Sequence, residues 1–185
     1  MEKINTNFED VFILAPSVHG DHRGFFMESY SKQLFQSIGL EIDFVQDNHS
    51  LSVTPGTLRG LHYQLEPKAQ TKLVRVTSGA IYDVIVDIRK GSPTYGKWQG
   101  FILSAENKHQ LFVPKGFAHG FCTITKDCEV QYKVDEYYSK EHDRGIAWND
   151  VTINIDWPFK QPVLSEKDAH HPSLQEADNN FKWEK

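Results

Sequence analysis

Along the chain, Val, Ile, Phe and Tyr recur in short runs separated by Gly, Pro and Asp, and sustained helical periodicity is scarce. This pattern predicts a mainly β chain folded as a sandwich or jelly roll. In TKLVRVTSGAIYDVIVDI, residues 71–88, two alternating segments meet at Ser78-Gly79, which predicts a hairpin. Its register would set Val76 opposite Ile81, Val74 opposite Asp83 and Lys72 opposite Ile85. Lys72 and Asp83 would then be diagonal neighbours on one face, with Arg75 on the other beside Tyr82. One helix is expected in SYSKQLFQSIGL, where Leu34, Phe35 and Ile38 share a face and Gly39 offers a stop. A second is expected after Ser165, which has Asp168 three residues on. The polar end LQEADNNFKWEK is expected to fray unless Phe181 and Trp183 dock it.

Length and charge narrow the picture. The 185 residues suffice for one buried core, and without repeats or linkers a single domain over 1–185 is expected. A net charge of −5 with no basic run argues against electrostatic capture of nucleic acid or an anionic membrane. The start MEKINTNFED lacks the apolar region of a signal peptide, and no apolar stretch is long enough to span a bilayer. A cytoplasmic protein is expected. Cys122 and Cys128 fit neither a CxxC motif nor paired zinc spacing, so they are read as reduced packing thiols.

Candidate chemistry concentrates in GTLRGLHYQLEPKAQTKLVRVTSG, residues 56–79, where a strand pattern carries Arg59, His62, Lys72 and Arg75. Cations on the core side of a sheet cost several kcal/mol unless an anion meets them. Strict alternation puts Arg59 and His62 on opposite faces, so both reach one pocket only if a kink at Gly60 shifts the register.

Gly56, five residues and His62 resemble the opening of the first cupin motif, and Pro114, Gly116 and His119 in VPKGFAHGF complete the second. The positions of the further metal ligands hold Gln64 and then Lys68 or Ala69, which do not complete a transition-metal set. The chain thus resembles a cupin that kept the barrel and lost the metal. A narrower resemblance runs through GDHRGFFMESY, FVQDNHS, LRGLHYQ, YGKWQGFILSAEN, VPKGFAHGF, QYKVDEYYS, DRGIAWND and LSEKD, which are similar to segments of the dTDP-4-dehydrorhamnose 3,5-epimerases.

That resemblance implies an all-β, cupin-type jelly roll with a few short peripheral helices. It also implies a homodimer exchanging N-terminal strands, no cofactor, and a dTDP-linked 4-keto-6-deoxy sugar as substrate. By the same resemblance, His62 is the base, Asp168 its carboxylate partner, Lys72 the cation beside the sugar C4 oxygen and Tyr132 the acid. Arg23 and Arg59 match pyrophosphate contacts. Glu28, Gln46 and Asn48 match residues holding the thymidine and phosphate portion, and Tyr138 matches an aromatic that stacks on the base. His119, Asp143 and Lys167 complete the matched substrate contacts. Arg75 has no matched role and is expected to form an ion pair on the other sheet face.

Plainer readings stand beside these. A single histidine in a strand is more often structural, Lys and Arg on a sheet are more often solvated, and strand tyrosines more often pack. His19, His22, His49, His109, His142, His170 and His171 are given only structural roles, and Phe117 and Phe121 are assigned to the core. Relatives that invert C3 or C5 alone keep the same base and acid. A metal-dependent cupin oxygenase and a nucleotide-sugar binder without turnover are the rivals from other classes.

Overall fold

Thirteen strands and two short helices form the chain in the computed structural model, which describes residues 1–184. The strands are β1 (Glu2–Asn5), β2 (Phe12–Ala15), β3 (Val18–Asp21), β4 (Gly24–Met27), β5 (Gln46–Ser52), β6 (Leu58–Gln64) and β7 (Lys72–Ser78). They continue with β8 (Ala80–Asp87), β9 (Trp98–Ser104), β10 (Gln110–Val113), β11 (Phe117–Thr123), β12 (Cys128–Val134) and β13 (Asp143–Gly145). Helix α1 spans Lys32–Ser37 and α2 spans Glu166–Ala169. A six-stranded sheet of order β1-β2-β10-β7-β12-β5 faces a five-stranded sheet of order β13-β6-β11-β8-β9, while β3 and β4 form a hairpin apart from both. All the strand pairs are antiparallel. This is the expected all-β jelly roll, with the helices at its periphery.

The expected hairpin at Ser78-Gly79 does not form. β7 pairs with β10 and β12 in one sheet, while β8 pairs with β9 and β11 in the other. Gly79, at φ +76°, turns the chain from sheet to sheet, and a Cβ there would lie 2.2 Å from the Thr125 hydroxyl. Alternation over residues 72–87 correctly marks two strands but carries no information on whether they pair. Lys72 and Asp83 therefore belong to facing sheets rather than to one face of a hairpin.

Three apolar clusters hold the layers. Val74, Val76, Ile81, Ile85, Leu111, Phe117, Phe121 and Val130 fill the space between the sheets. On the outside of the five-stranded sheet, Leu58, Leu61, Tyr63, Val84, Val86 and Ile88 are covered by Ile146, Ile153, Trp157, Leu174 and Phe181. Because β8 is covered on both faces, apolar residues fill most of its positions on either side. Phe12, Leu14, Leu73 and Phe112 receive Phe35 of α1 on the outside of the other sheet. Ser31 caps α1, and Gly39 follows it at φ +83°, the stop the sequence predicts.

The C-terminal segment docks rather than frays. Phe181 is buried, and the Trp183 ring lies 4.3 Å from the Arg89 guanidinium, a cation–π contact. Cys122 and Cys128 are free, buried thiols in different apolar clusters. No helix among the described residues is long and apolar enough to cross a membrane.

Candidate active site

The site lies between the sheets, where the inner faces turn from apolar to polar. Its first requirement is the break in β6. His119 pairs with His62 and Phe121 with Arg59, so two steps along β11 match three along β6. The extra residue lets Arg59 and His62 share the inner side while Leu58 and Leu61 share the outer cluster. Gly60, at φ +129°, makes this possible: a Cβ on it would fall 2.5 Å from the Gly120 Cα. The kink expected from the sequence is present.

His62 bonds through Nε2 to Asp168 Oδ1 at 2.5 Å. Asp168 is placed by α2: Ser165 accepts its backbone N–H at 3.1 Å and donates its hydroxyl to Oδ2 at 2.7 Å. Burial raises the Asp168 carboxyl, but the hydrogen bonds from His62 and Ser165, together with the neighbouring His171, outweigh it and hold the carboxyl well below the usual carboxylate range. Burial pushes the His62 imidazole pKa down, and the Asp168 bond and charge only partly oppose this. His62 is therefore a neutral imidazole at pH 7, giving its Nε2–H to Asp168 and keeping the Nδ1 lone pair.

His119 forms a second pair, bonding through Nε2 to Asp83 Oδ1 at 2.8 Å. Asp83, expected as a diagonal neighbour of Lys72, still interacts with its charge across the interior. Burial nevertheless dominates, bringing the Lys72 ammonium pKa down to about 8 against the pull of Asp83 and Asp143. Lys72 remains largely protonated at pH 7.

Tyr132 extends from β12 on the side of Val130 and opposite Val74, packing against the inter-sheet core. Burial and Asp143 raise its phenol pKa while Arg59 lowers it, with a net rise, so the hydroxyl stays protonated. Neighbouring β5 alternates half-buried Gln46, Asn48 and Ser50 with exposed Asp47, His49 and Leu51. Asn48 is the cross-strand partner of Tyr132, and Gln46 donates to its Oδ1 at 2.9 Å. Arg59 reaches this edge, donating to Ser52 Oγ and to the Leu51 carbonyl, both at 3.2 Å. On β13, the edge strand of the five-stranded sheet, Asp143 accepts from the Tyr138 hydroxyl at 3.1 Å and from Lys167.

Two sequence-derived contacts lie elsewhere in this chain. Arg23 sits on the separate β3–β4 hairpin, 79% exposed and bound to Asp21 at 2.5 Å, and Glu28 follows that hairpin, also exposed. Arg75 does occupy the outer face of its sheet, but its partner is the Gln131 amide oxygen, at 2.9 and 3.3 Å, rather than an acid.

Gln64, in the place of a cupin metal ligand, is spent on the backbone: it donates to the carbonyls of Lys68 and Tyr137 and accepts from Ser139 N–H. A different group, His62, Asp168 and His171, brings three ligand atoms within 4.8 Å of one another. Sequence reading gave His171 only a structural role and took Ser165 only as a helix cap. The capping spacing marked Ser165, but nothing local in AHHP marked His171, whose position depends on where α2 docks.

The family model for dTDP-4-dehydrorhamnose 3,5-epimerase matches residues 5–176. The Shigella flexneri dTDP-4-dehydrorhamnose 3,5-epimerase is 55% identical over 179 residues, covering 96% of this chain and 98% of its own. A Bacillus anthracis dTDP-4-dehydrorhamnose 3,5-epimerase solved with TDP and PPi superposes with a TM-score of 0.91 at 57% identity, over 93% of this chain and 98% of its own. A Legionella pneumophila dTDP-6-deoxy-D-glucose-3,5-epimerase, solved with dTDP-4-keto-L-rhamnose, gives a TM-score of 0.95 at 44% identity over 100% and 99% of the two chains. Matched nearly end to end in sequence and in fold, the chain belongs to the dTDP-4-dehydrorhamnose 3,5-epimerase family.

Proposed function

We propose that this site converts dTDP-4-keto-6-deoxy-D-glucose to dTDP-4-keto-L-rhamnose by inverting C3 and C5 through enolate intermediates. The observation that carries the reading is the placement of His62 and Tyr132 on facing sheets, with Lys72 between the same layers. A sugar ring held between the sheets presents one face to each.

His62 Nδ1 takes the proton from the carbon α to the C4 carbonyl, and Asp168 holds the imidazolium that forms. Charge moves to the C4 oxygen, where the Lys72 ammonium stabilises it; a preorganised donor of this kind contributes about 3–4 kcal/mol. Tyr132 returns a proton to the opposite face, which inverts the carbon. Arg59 suits the pyrophosphate because its guanidinium offers forked, charge-assisted donors. Gln46, Asn48, Tyr138, His119, Asp143 and Lys167 hold the remainder of the nucleotide sugar. Arg23 and Glu28 serve the site of the second protomer in a homodimer that exchanges N-terminal segments, a reading supported by the exposed β3–β4 hairpin, which pairs with neither main sheet and has Phe25 and Phe26 at 59% and 68% exposure.

Incubation with dTDP-4-keto-6-deoxy-D-glucose in deuterated water, followed by proton NMR of the sugar, tests the reaction. Deuterium at both C3 and C5 is expected. Incorporation at one carbon would mean a single inversion, and none would reduce the protein to a binder.

A further inference from the structure

We propose that His62, Asp168 and His171 form a binding site for a divalent transition-metal ion, zinc above all, and that filling it switches the base off. The site differs from the cupin metal set, whose Gln64 position is spent on backbone groups.

His171 is the observation that leads there. Its side chain is 8% exposed, and Nε2 is buried with no hydrogen-bond partner. A buried polar nitrogen without a partner normally costs stability. The ring packs against Gly145, where a Cβ would fall 2.3 Å from its Cε1, and it meets the His62 ring edge-to-face at 5.5 Å and 78°. Nε2 lies 3.5 Å from Asp168 Oδ1. Tetrahedral ligands at bonds of about 2.0–2.2 Å are separated by about 3.3–3.5 Å, so this edge already has metal spacing. Ser165 fixes the other carboxylate oxygen, leaving Oδ1 to both histidines. Two imidazoles and one carboxylate with a fourth position open suit zinc. The 2.5 Å contact between His62 and Asp168 must widen, since it is a hydrogen-bond length and not a ligand–ligand one.

The proton accounting gives the consequence. Neutral His62 carries its one N–H on Nε2 and its lone pair on Nδ1. A metal on Nε2 displaces the proton held there and binds the electron pair it leaves, and the neutral ring then carries its proton on Nδ1. The nitrogen that would accept the substrate proton is then occupied, and Asp168 is diverted to the ion. Coordination alone does not depend on the proposed chemistry, whereas the loss of turnover rests on His62 being the base.

The metal-free full chain is titrated with Co²⁺, read by visible absorption, and with Zn²⁺, read by calorimetry. Tight binding at one equivalent is expected, weakened in His171→Asn and His171→Ala by at least the roughly 10–100-fold that loss of a mere outer-shell partner costs. Zinc should abolish wild-type turnover and a chelator restore it, with each His171 variant, scored against its own metal-free rate, resisting the zinc that silences wild type. Imidazole ¹⁵N NMR of the wild type, which needs no variant, should show zinc on Nε2 of both rings and the His62 proton on Nδ1. Absence of binding, equal affinity in folded His171 variants, or unchanged ¹⁵N signals of His62 and His171 would overturn the site. His171-dependent binding with undiminished turnover would uphold the site and overturn both the switch and His62 as base.

Discussion

His62 and His119 are direct cross-strand partners, yet their side chains bond to different carboxylates, His62 to Asp168 at 2.5 Å and His119 to Asp83 at 2.8 Å. Two histidines at the positions that would share a metal in a cupin are thus divided between two acid–imidazole pairs. One partner comes from α2, outside the sheets, and the other from β8, within the barrel. The pair from α2 is held by the helix cap, Ser165 bonding both the Asp168 backbone N–H and its second carboxylate oxygen. The pair from β8 is fixed by the sheet, with Asp83 completely buried.

The pH dependence of kcat/KM should be bell-shaped. His62 must be neutral to act, and its pKa is lowered from 6.5 mainly by burial, so the acid limb lies below pH 6.5. Lys72 must be protonated, and activity falls as the pH rises through about 8. Asp168→Asn removes the bond and charge that raise the His62 value, so the acid limb should move lower still. The rate should also fall, by about 10²-fold or more, because the tautomer is no longer held. An acid limb that moves upward in this variant would contradict the pairing.

Tyr132→Phe separates acid from base. It leaves His62, Lys72 and the nucleotide contacts in place and removes only the proton donor. Epimerised product should fall roughly 10²–10⁴-fold. Substrate α-hydrogen should still exchange with deuterated solvent by return of the proton on the original face, whereas His62→Ala should lose exchange and product together. NMR of recovered substrate reads both, and loss of exchange in folded Tyr132→Phe would place the tyrosine at or before deprotonation.

Mixed dimers test the origin of Arg23. If it serves the partner's site, Arg23→Ala and His62→Ala are each nearly inactive alone. After denaturation, mixing and refolding, heterodimers would hold one intact site, restoring about a quarter of wild-type activity in a random mixture. Activity equal to the sum of the separate variants would place Arg23 in its own protomer's site or outside catalysis.

Gly60→Ala should damage both stability and activity. Its Cβ would meet the Gly120 Cα at 2.5 Å from a backbone at φ +129°. A loss of about 2 kcal/mol or more, or a fall in Tm of roughly 4–8 °C, is expected. Calorimetric melting checks it. A variant that folds should show impaired kcat/KM, because the break in β6 brings Arg59 and His62 to one side.

Local pattern alone determined the strand-rich class, the Gly39 stop and the Ser165 cap, the core placement of Phe117 and Phe121, and the need for a kink at Gly60. These depend on side-chain period, on φ and on groups a few residues apart, which neighbouring letters encode. The strings around His62, His119 and Tyr132 also carried the family likeness, since each lies in a strand that is itself a contiguous motif. Tertiary structure decided the rest. Alternation in β7 and β8 is the same whether they pair or enter different sheets, so only packing shows Lys72 facing Asp83 across the interior. Arg75 found an amide rather than an acid because its neighbour Gln131 comes from a strand 56 residues away. Phe181 and Trp183 anchor a tail that looked soluble, because the outer face of the five-stranded sheet needs a cover. His171 joins the site for a related reason: its neighbours in sequence are unremarkable, and its neighbours in space are His62, Asp168 and Gly145, brought together by the docking of α2.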